Sequence, residues 1–310
     1  MHDQKDQKDH GNLRSILLEE KKLSKIEIAV IGGSGLYNME ALTEVEELSI
    51  TTPFGKPSDD ITVGTLHGRR VAFLPRHGRG HLLNPSEVPY RANIFALKTL
   101  GVRYIVSVSA CGSLREDYAP SHIVVPDQLF DHTKGRKGTF FEGGLVAHVT
   151  LANPFSPEMS KAIAQSCRTV GGTVHEGGTF ITMEGPRFST KGESLLYQQW
   201  GMSIIGMTTS PEAFLAGEAE IAYGVMAHVT DYDVWHESEE PVTVDMVVKV
   251  LQKNAALAQN GISHLVQTMD DWADDFPAHH ALKYAFITEH NHIPAQLKQD
   301  LAPLVAKYLT

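Results

Sequence analysis

The stretch Ser203–Trp235, SIIGMTTSPEAFLAGEAEIAYGVMAHVTDYDVW, leaves this chain little choice of fold. Ser203–Met207 is a short apolar run with β-branched Ile204 and Ile205, which predicts a buried strand. Thr209-Ser210-Pro211-Glu212 carries the marks of a helix start: hydroxyls, Pro in the first turn, then an acid suited to the helix dipole. The helix is predicted to run to about Ile221, and Tyr223–Val229 reads as a second buried strand. Two strands joined by a crossover helix are expected to lie parallel in one sheet. Their carboxyl ends then face one edge, where open α/β sheets bind ligands. Met207-Thr208 leaves the first strand and Thr230-Asp231-Tyr232-Asp233 leaves the second. A hydroxyl, the amides of a helix start and two acids should therefore converge on one crevice. The plainer alternative is that the acids cap or solvate a loop. It fits less well, because the end of a buried strand is a poor place for two idle carboxylates.

A chain of 310 residues, 42% of them hydrophobic, can bury one large α/β core or two small ones. Its formal net charge of −10 is spread along the sequence, which argues against a nucleic-acid surface. Two cysteines without motif spacing, Cys111 and Cys167, suit a reducing, cytoplasmic setting. No apolar run is long enough to span a membrane. Residues 1–24 lack an apolar signal-peptide core and read as a polar arm. Residues 25–269 carry the strand and helix patterns of the main domain. Residues 270–310, rich in His and acids, are expected to form a helical tail, solvated and loosely docked on or near that domain.

Other strand ends carry chemistry too. Lys25–Ile31 is a strand that ends in Gly32-Gly33-Ser34-Gly35, where backbone amides and a hydroxyl could approach an anion. The loop lacks the third glycine of the dinucleotide fingerprint, since Asn38 stands there, and a simple tight turn explains it equally well. Val71–Leu74 is a strand followed by Arg76-His77-Gly78-Arg79-Gly80-His81, a good oxyanion site or, more blandly, a solvated basic turn. Tyr90–Leu100 is a helix stopped by Gly101, and Val102–Val108 is a central strand that ends in Ser109-Ala110-Cys111-Gly112-Ser113. Cys111 has no adjoining base and reads as a small packed residue. His122–Val125 is a strand, Asp127–Gly144 a polar loop, Pro157–Val170 an amphipathic helix, Thr173–Met183 a strand and Thr190–Trp200 a helix. Val244, Val247, Val248, Leu251 and Ala255 recur at helical spacing. Phe188, beside Gly185-Pro186, can stack on a flat ligand or fill a satellite core.

The ordered set IGGSG, TTPFGKPSD, RHGRGH, NPSEVPYRANI, ACGSLRED, DQLFDHT, TMEGPRFST, MTTSPEA and TDYD resembles the 5′-methylthioadenosine phosphorylase family, over roughly Ile26–Met269. The resemblance implies a three-layer α/β sandwich around a twisted mixed β-sheet, a homotrimer, and no cofactor or metal, with inorganic phosphate as co-substrate. It implies phosphorolysis of 5′-methylthioadenosine to adenine and 5-methylthioribose 1-phosphate, in methionine and purine salvage. The alternative is a phosphorylase or nucleosidase acting on adenosine or another purine nucleoside. By the resemblance the phosphate site falls on Ser34, Arg76, His77, Ser109, Ala110 and Thr208. The family often has Thr where Ser34 and Ser109 stand, and both replacements keep the hydroxyl. Met207 would meet the ribose, Phe188 the base, and Asp231 and Asp233 the adenine edge. Val244 and Val247 would line the 5′-methylthio pocket, to which the adjacent subunit lends His148.

The departing purine gains negative charge, mainly at N7, and needs a proton or a strong hydrogen bond there. Asp231 can supply one only if burial and Asp233 raise its pKa above the usual value of about 3.9.

Overall fold

The protein is described by a computed structural model over residues 25–33, 35, 36, 39–236, 243–273 and 275–309. Five apolar or alternating segments make its central strands: β1 (Ile26–Gly32), β3 (Ile61–Leu66), β4 (Arg69–Pro75), β5 (Tyr104–Ser113) and β11 (Ala222–Asp231). β1 lies between β4 and β5, parallel to both, and β11 is parallel to β5 on its other side. β3 and the polar outer strand β2 (Thr43–Leu48) extend the sheet antiparallel beyond β4. β10 (Ile204–Gly206) joins the far half of β5, and β9 (Thr179–Met183) and β7 (Gln128–His132) follow it. β6 (Ile123–Val125) and β8 (Val174–Glu176) branch from β11. The result, among the described residues, is a mixed sheet of 11 strands.

Strand alternation sends side chains into two cores. Ala29, Ile31, Ile105 and Cys111 face a layer that holds helices α1 (Tyr90–Thr99) and α4 (Thr209–Glu218). Ile28, Val30, Tyr104 and Val106 face the other layer, with helices α2 (Pro157–Thr169) and α5 (Val244–Gln267). Sheet and two helical layers make the sandwich expected from the sequence. A smaller cluster of Ile181, Met183, Tyr197 and Ile205 anchors α3 (Lys191–Gln199) on β9 and β10. Ser156 and Thr190 cap α2 and α3 through their hydroxyls, the local reason those helices start where they do.

Four expectations are corrected. β10 and β11 do not run the same way: β10 is antiparallel to β5 while β11 is parallel to it. The strand before α4 thus runs opposite to β5, and its carboxyl end lies beside Ala110 and Cys111, near the carboxyl end of β5. Thr173–Met183 is not one strand. Gly177 and Gly178, at φ +87° and +96°, break it, so β8 pairs with β6 while β9 pairs with β7 and β10. The polar segment QLFDH forms β7 inside the expected loop, held by main-chain pairing with β9 that alternation could not reveal. The C-terminal tail is firmly docked. Leu282, Ile293, Leu301, Leu304, Val305 and Leu309 are buried in the α1/α4 core, and Glu220 accepts from Leu282 N at 3.0 Å and Tyr308 Oη at 2.6 Å. The tail includes two short helices, α6 (Ala295–Asp300) and α7 (Ala302–Val305).

Candidate active site

The carboxyl ends of β1 and β4 sit side by side: Gly32 is in register with Pro75, and Arg76 N donates to Gly32 O at 3.0 Å. The Arg76 side chain is buried, 3% exposed, and turns inward. Its Nε donates to Glu212 Oε2 at 2.7 Å, and its Nη2 to Glu212 Oε1 at 2.9 Å and Ser107 Oγ at 2.6 Å. Nη1 donates to Val108 O at 3.1 Å. Tyr223 Oη adds a further tie, to Glu212 Oε1 at 2.8 Å. Burial alone would lower the pKa of the guanidinium, but Glu212 more than offsets this, and Arg76 stays charged. Through these contacts Arg76 fastens the head of α4 to the end of β4 and the middle of β5, and most of its donors are taken up by the protein itself.

The head of α4 and the neighbouring stretch of β5 carry hydroxyls that the described residues do not satisfy. Ser109 Oγ, Thr209 Oγ1 and Ser210 Oγ are buried without a hydrogen-bond partner among the described residues. Ser109 lies two residues beyond Ser107, whose Oγ contacts Glu212 at 3.1 Å. Thr208 is buried before the helix, and its side chain does not cap it. Ala110 is half-buried; its carbonyl would lie 3.5 Å from a Cβ placed on Gly206. An unpaired buried hydroxyl costs about 1–3 kcal/mol. Orphaned donors at a helix start make a good seat for an anion.

His77 occupies the loop after β4, where Gly78 and Gly80 take φ +71° and +80°. Its ring stacks on His81 at 4.2 Å, and Nδ1 donates to Leu83 O at 2.8 Å. Burial first, and then the charge of Arg76, push its pKa down to about 4, so the ring is neutral and Nε2 carries a lone pair.

The two acids follow β11. Asp231 Oδ1 accepts from Asp233 N at 2.8 Å, and Oδ2 from Thr230 Oγ1 at 2.6 Å. Thr230 Oγ1 also reaches Cys111 O at 3.2 Å. Asp233 is in the left-handed region at φ +51°, and its carboxyl is buried, with the hydroxyls of Ser194 and Ser189 near it. Both acids fit beside β5 because residue 112 is glycine: a Cβ there would stand 3.0 Å from Asp231 Oδ1 and 3.2 Å from Asp233 Cβ. Burial pushes the Asp231 carboxyl up to about 6, against the hydrogen bonds from Thr230 and the Asp233 amide. Burial also raises Asp233, opposed by the hydroxyls of Ser194 and Ser189.

Met207 and Phe188 are both half-buried. Met207 packs so closely on Gly185 that a Cβ there would lie 2.6 Å from its sulfur. Val244 opens α5 and is 65% exposed, and the main-chain N–H of His148 donates to Ala285 O at 2.8 Å. Ser34 and the side chain of Val247 lie outside the described residues. Local sequence assigns no role to Glu212 beyond the helix dipole, and none to Ser107, Tyr223, Thr209 or Ser210 as site groups. Only the pairing of β1, β4 and β5 reveals that the acid in TTSPEA has Arg76 for its partner. Arg136, in a glycine-flanked loop, carries no local signal.

An α/β sandwich with orphaned hydroxyls and a buried acid pair at one sheet edge has the parts of a phosphorylase. The chain belongs to the phosphorylase superfamily, whose family model matches residues 27–267. It is 58% identical over 282 residues to S-methyl-5′-thioadenosine phosphorylase of Chloroflexus aurantiacus, covering 91% of this chain and 98% of that protein. Identity to the protein of the same name from Gloeobacter violaceus is 53%, over 91% and 95%. Among solved structures, a methylthioadenosine phosphorylase from an antarctic soil metagenomic library superposes with TM-score 0.87 at 50% identity, over 91% of this chain and 99% of that one. A methylthioadenosine phosphorylase from Schistosoma mansoni in complex with adenine gives TM-score 0.76 at 34% identity, over 91% and 98%.

Proposed function

We propose that the protein cleaves 5′-methylthioadenosine with inorganic phosphate, releasing adenine and 5-methylthioribose 1-phosphate. The observation that carries this reading is that Gly112 of β5 pairs with both Asp231 of β11 and Ile205 of β10, which brings a carboxyl whose pKa is about 6 to the same stretch of sheet as hydroxyls without a hydrogen-bond partner among the described residues, Ser109 on β5 and Thr209 and Ser210 just after β10. Ser109, Thr208, Thr209 and Ser210 offer donors to phosphate oxygens, and the amide of Ala110 and the remaining N–H of Arg76 Nη1 add to them. Neutral His77 offers Nε2 to a phosphate hydroxyl. Ser34, by the same resemblance, completes this set. Phosphate oxygen bonds to C1′ of the ribose as the C1′–N9 bond breaks, and the bonding pair leaves with the purine. Asp231 gives a proton or a short hydrogen bond to N7, and the acid pair accepts from the 6-amino group. Two close carboxyls titrate together, and the proton belongs to the pair. The same residues are the reason to prefer adenine over a 6-oxopurine. Relatives solved with adenine or methylthioadenosine bound support this substrate class.

Met207 and Phe188 form the ribose and base side, and Val244 and Val247 the wall for the methylthio group. The exposure of Val244 supports a homotrimer in which a neighbouring copy closes that pocket with His148; an active monomer in sedimentation would count against it. Residues 25–269 form the catalytic body, the 270–310 segment packs on it, and the enzyme works in the cytoplasm without a cofactor. The test of the reaction is a nucleoside panel with and without phosphate. Adenine release that requires phosphate and yields the sugar phosphate is expected. Equal turnover without phosphate, giving free methylthioribose, overturns it in favour of a hydrolase.

A further inference from the structure

Arg136 belongs to none of the motifs at the strand ends, yet its guanidinium is buried, with the side chain 4% exposed. Nη1 donates to two carbonyls that bracket the phosphate-side turn, Met207 O at 2.7 Å and Ser210 O at 2.9 Å. Nη2 donates to Glu184 O at 2.6 Å, and Nε to Glu184 Oε1 at 3.1 Å. Nη1 also reaches Tyr90 Oη at 3.1 Å, which itself donates to Pro85 O at 2.7 Å. The Glu184 carboxylate in turn accepts from Ser86 Oγ and Lys134 N. One planar cation therefore joins four loops: 84–90, 133–139, 184–188 and 207–210. Two of them carry the residues assigned above to opposite partners in the reaction. The 207–210 turn holds Met207, Thr208 and the orphaned hydroxyls of Thr209 and Ser210. The 184–188 loop leads to Phe188.

We infer that Arg136 is a positioning residue for the phosphorolysis proposed above, on which this role rests. It fixes the turn that presents phosphate and the loop that presents the nucleoside in one frame, so that nucleophile and C1′ align. The chemistry of the contacts supports this. Three of its acceptors are main-chain carbonyls, which set backbone position, and only one is a carboxylate oxygen. Holding both carbonyls of a turn while facing a third loop needs the planar fork of a guanidinium, which an ammonium lacks. The close packing of Met207 on Gly185 joins the same two loops a second time. Misplacing reacting groups by about 1 Å can cost on the order of 10²-fold in rate.

The test is Arg136→Lys, which keeps the charge beside Glu184 and loses the fork. Wild type is assayed first for phosphate-dependent adenine release; failure there refutes the phosphorolysis reading and is distinct from failure of the positioning role. With wild type active, the variant is expected to melt within a few degrees of it and to lose about 10²-fold in kcat. Its Kd for adenine, measured by calorimetry, should change by only a small factor, because the base contacts themselves remain. A folded variant with wild-type kcat overturns the inference. If Arg136→Lys does not fold, Arg136→Ala is assayed with added guanidinium or methylammonium. Recovery of kcat by guanidinium alone supports the positioning role. Recovery by both, recovery by neither, or failure of this variant to fold overturns it and leaves Arg136 a purely structural cation.

Discussion

Asp231→Asn should do two things that rarely go together: remove most activity and make the protein more stable at neutral pH. The fit of the side chain is the reason. Asn keeps Oδ1 to accept from Asp233 N, and its Nδ2 can donate to Thr230 Oγ1, which is free to donate onward to Cys111 O. The local hydrogen bonds therefore survive, and only the ionisation is lost. Burial holds the Asp231 pKa at about 6, above the ordinary value of 3.8. The folded protein thus binds more protons than the unfolded chain between these two pH values. The stability contributed by the protonated acid is fully present below about pH 4 and is lost as pH rises through about 6. A shift of about two units corresponds to roughly 3 kcal/mol at pH 7 and above, taken as an upper value for a residue that retains slight exposure.

Asn mimics the protonated acid at every pH. Its stabilising effect should therefore be near zero at about pH 4 and grow to between about 1 and 3 kcal/mol at about pH 8. Urea melts at both pH values, at one protein concentration, read it directly. Activity moves the other way: loss of the acidic proton should lower kcat/KM on methylthioadenosine by about 10²–10⁴-fold. In wild type, kcat/KM at saturating phosphate should fall as pH rises above about 6, and that limb should vanish in the variant. The loss on methylthioinosine should be smaller, because the new NH2 can donate to a 6-oxo group but opposes a 6-amino group. If Asp231 only capped a loop, the variant would lose equal activity on both nucleosides in step with stability. An Asn variant that is less stable than wild type in the alkaline melt, or one with an unchanged substrate ratio, refutes the role given to Asp231.

Gly112→Ala places a methyl 3.0 Å from Asp231 Oδ1 and must displace the acid pair; kcat should drop about tenfold or more while the melting temperature moves by only a few degrees. A wild-type kcat would show that the acids tolerate displacement. Glu212→Gln leaves the buried Arg76 charge without its counter-ion, and should cost about 3–5 kcal/mol in urea denaturation. A loss below about 1 kcal/mol would mean that the pair does not hold the head of α4.

How much of this was legible in the sequence depends on the range of the interaction involved. β1, β4, α1, α2 and α3 were readable because apolar periodicity, cap residues and stop glycines are local properties. The acids of TDYD were readable for the same reason: two carboxylates directly after a buried strand are a conflict visible within a few residues. The direction of β10 was not readable, since this short strand takes its orientation from β5 and β9, far away in the chain. Nor was the docking of the tail, whose apolar residues are spaced irregularly among His and acids and are buried only because the α1/α4 core is there to receive them.

The arginines make the same point more sharply. Arg76 was singled out as a candidate anion-binding residue from its place after a strand, and the structure sets it at that strand end. What local reading could not supply is its partner 136 residues away, Glu212, which takes two of its three nitrogens. Arg136 reverses the case: nothing local distinguishes it from a solvated loop cation, yet it reaches Met207 and Ser210, 71 and 74 residues further along the chain. A buried guanidinium needs several acceptors at fixed angles, and only a completed fold can bring that many carbonyls together. In this chain the groups proposed to touch the substrate announce themselves at strand ends. The cations that hold those ends in place become visible only when the sheet is assembled.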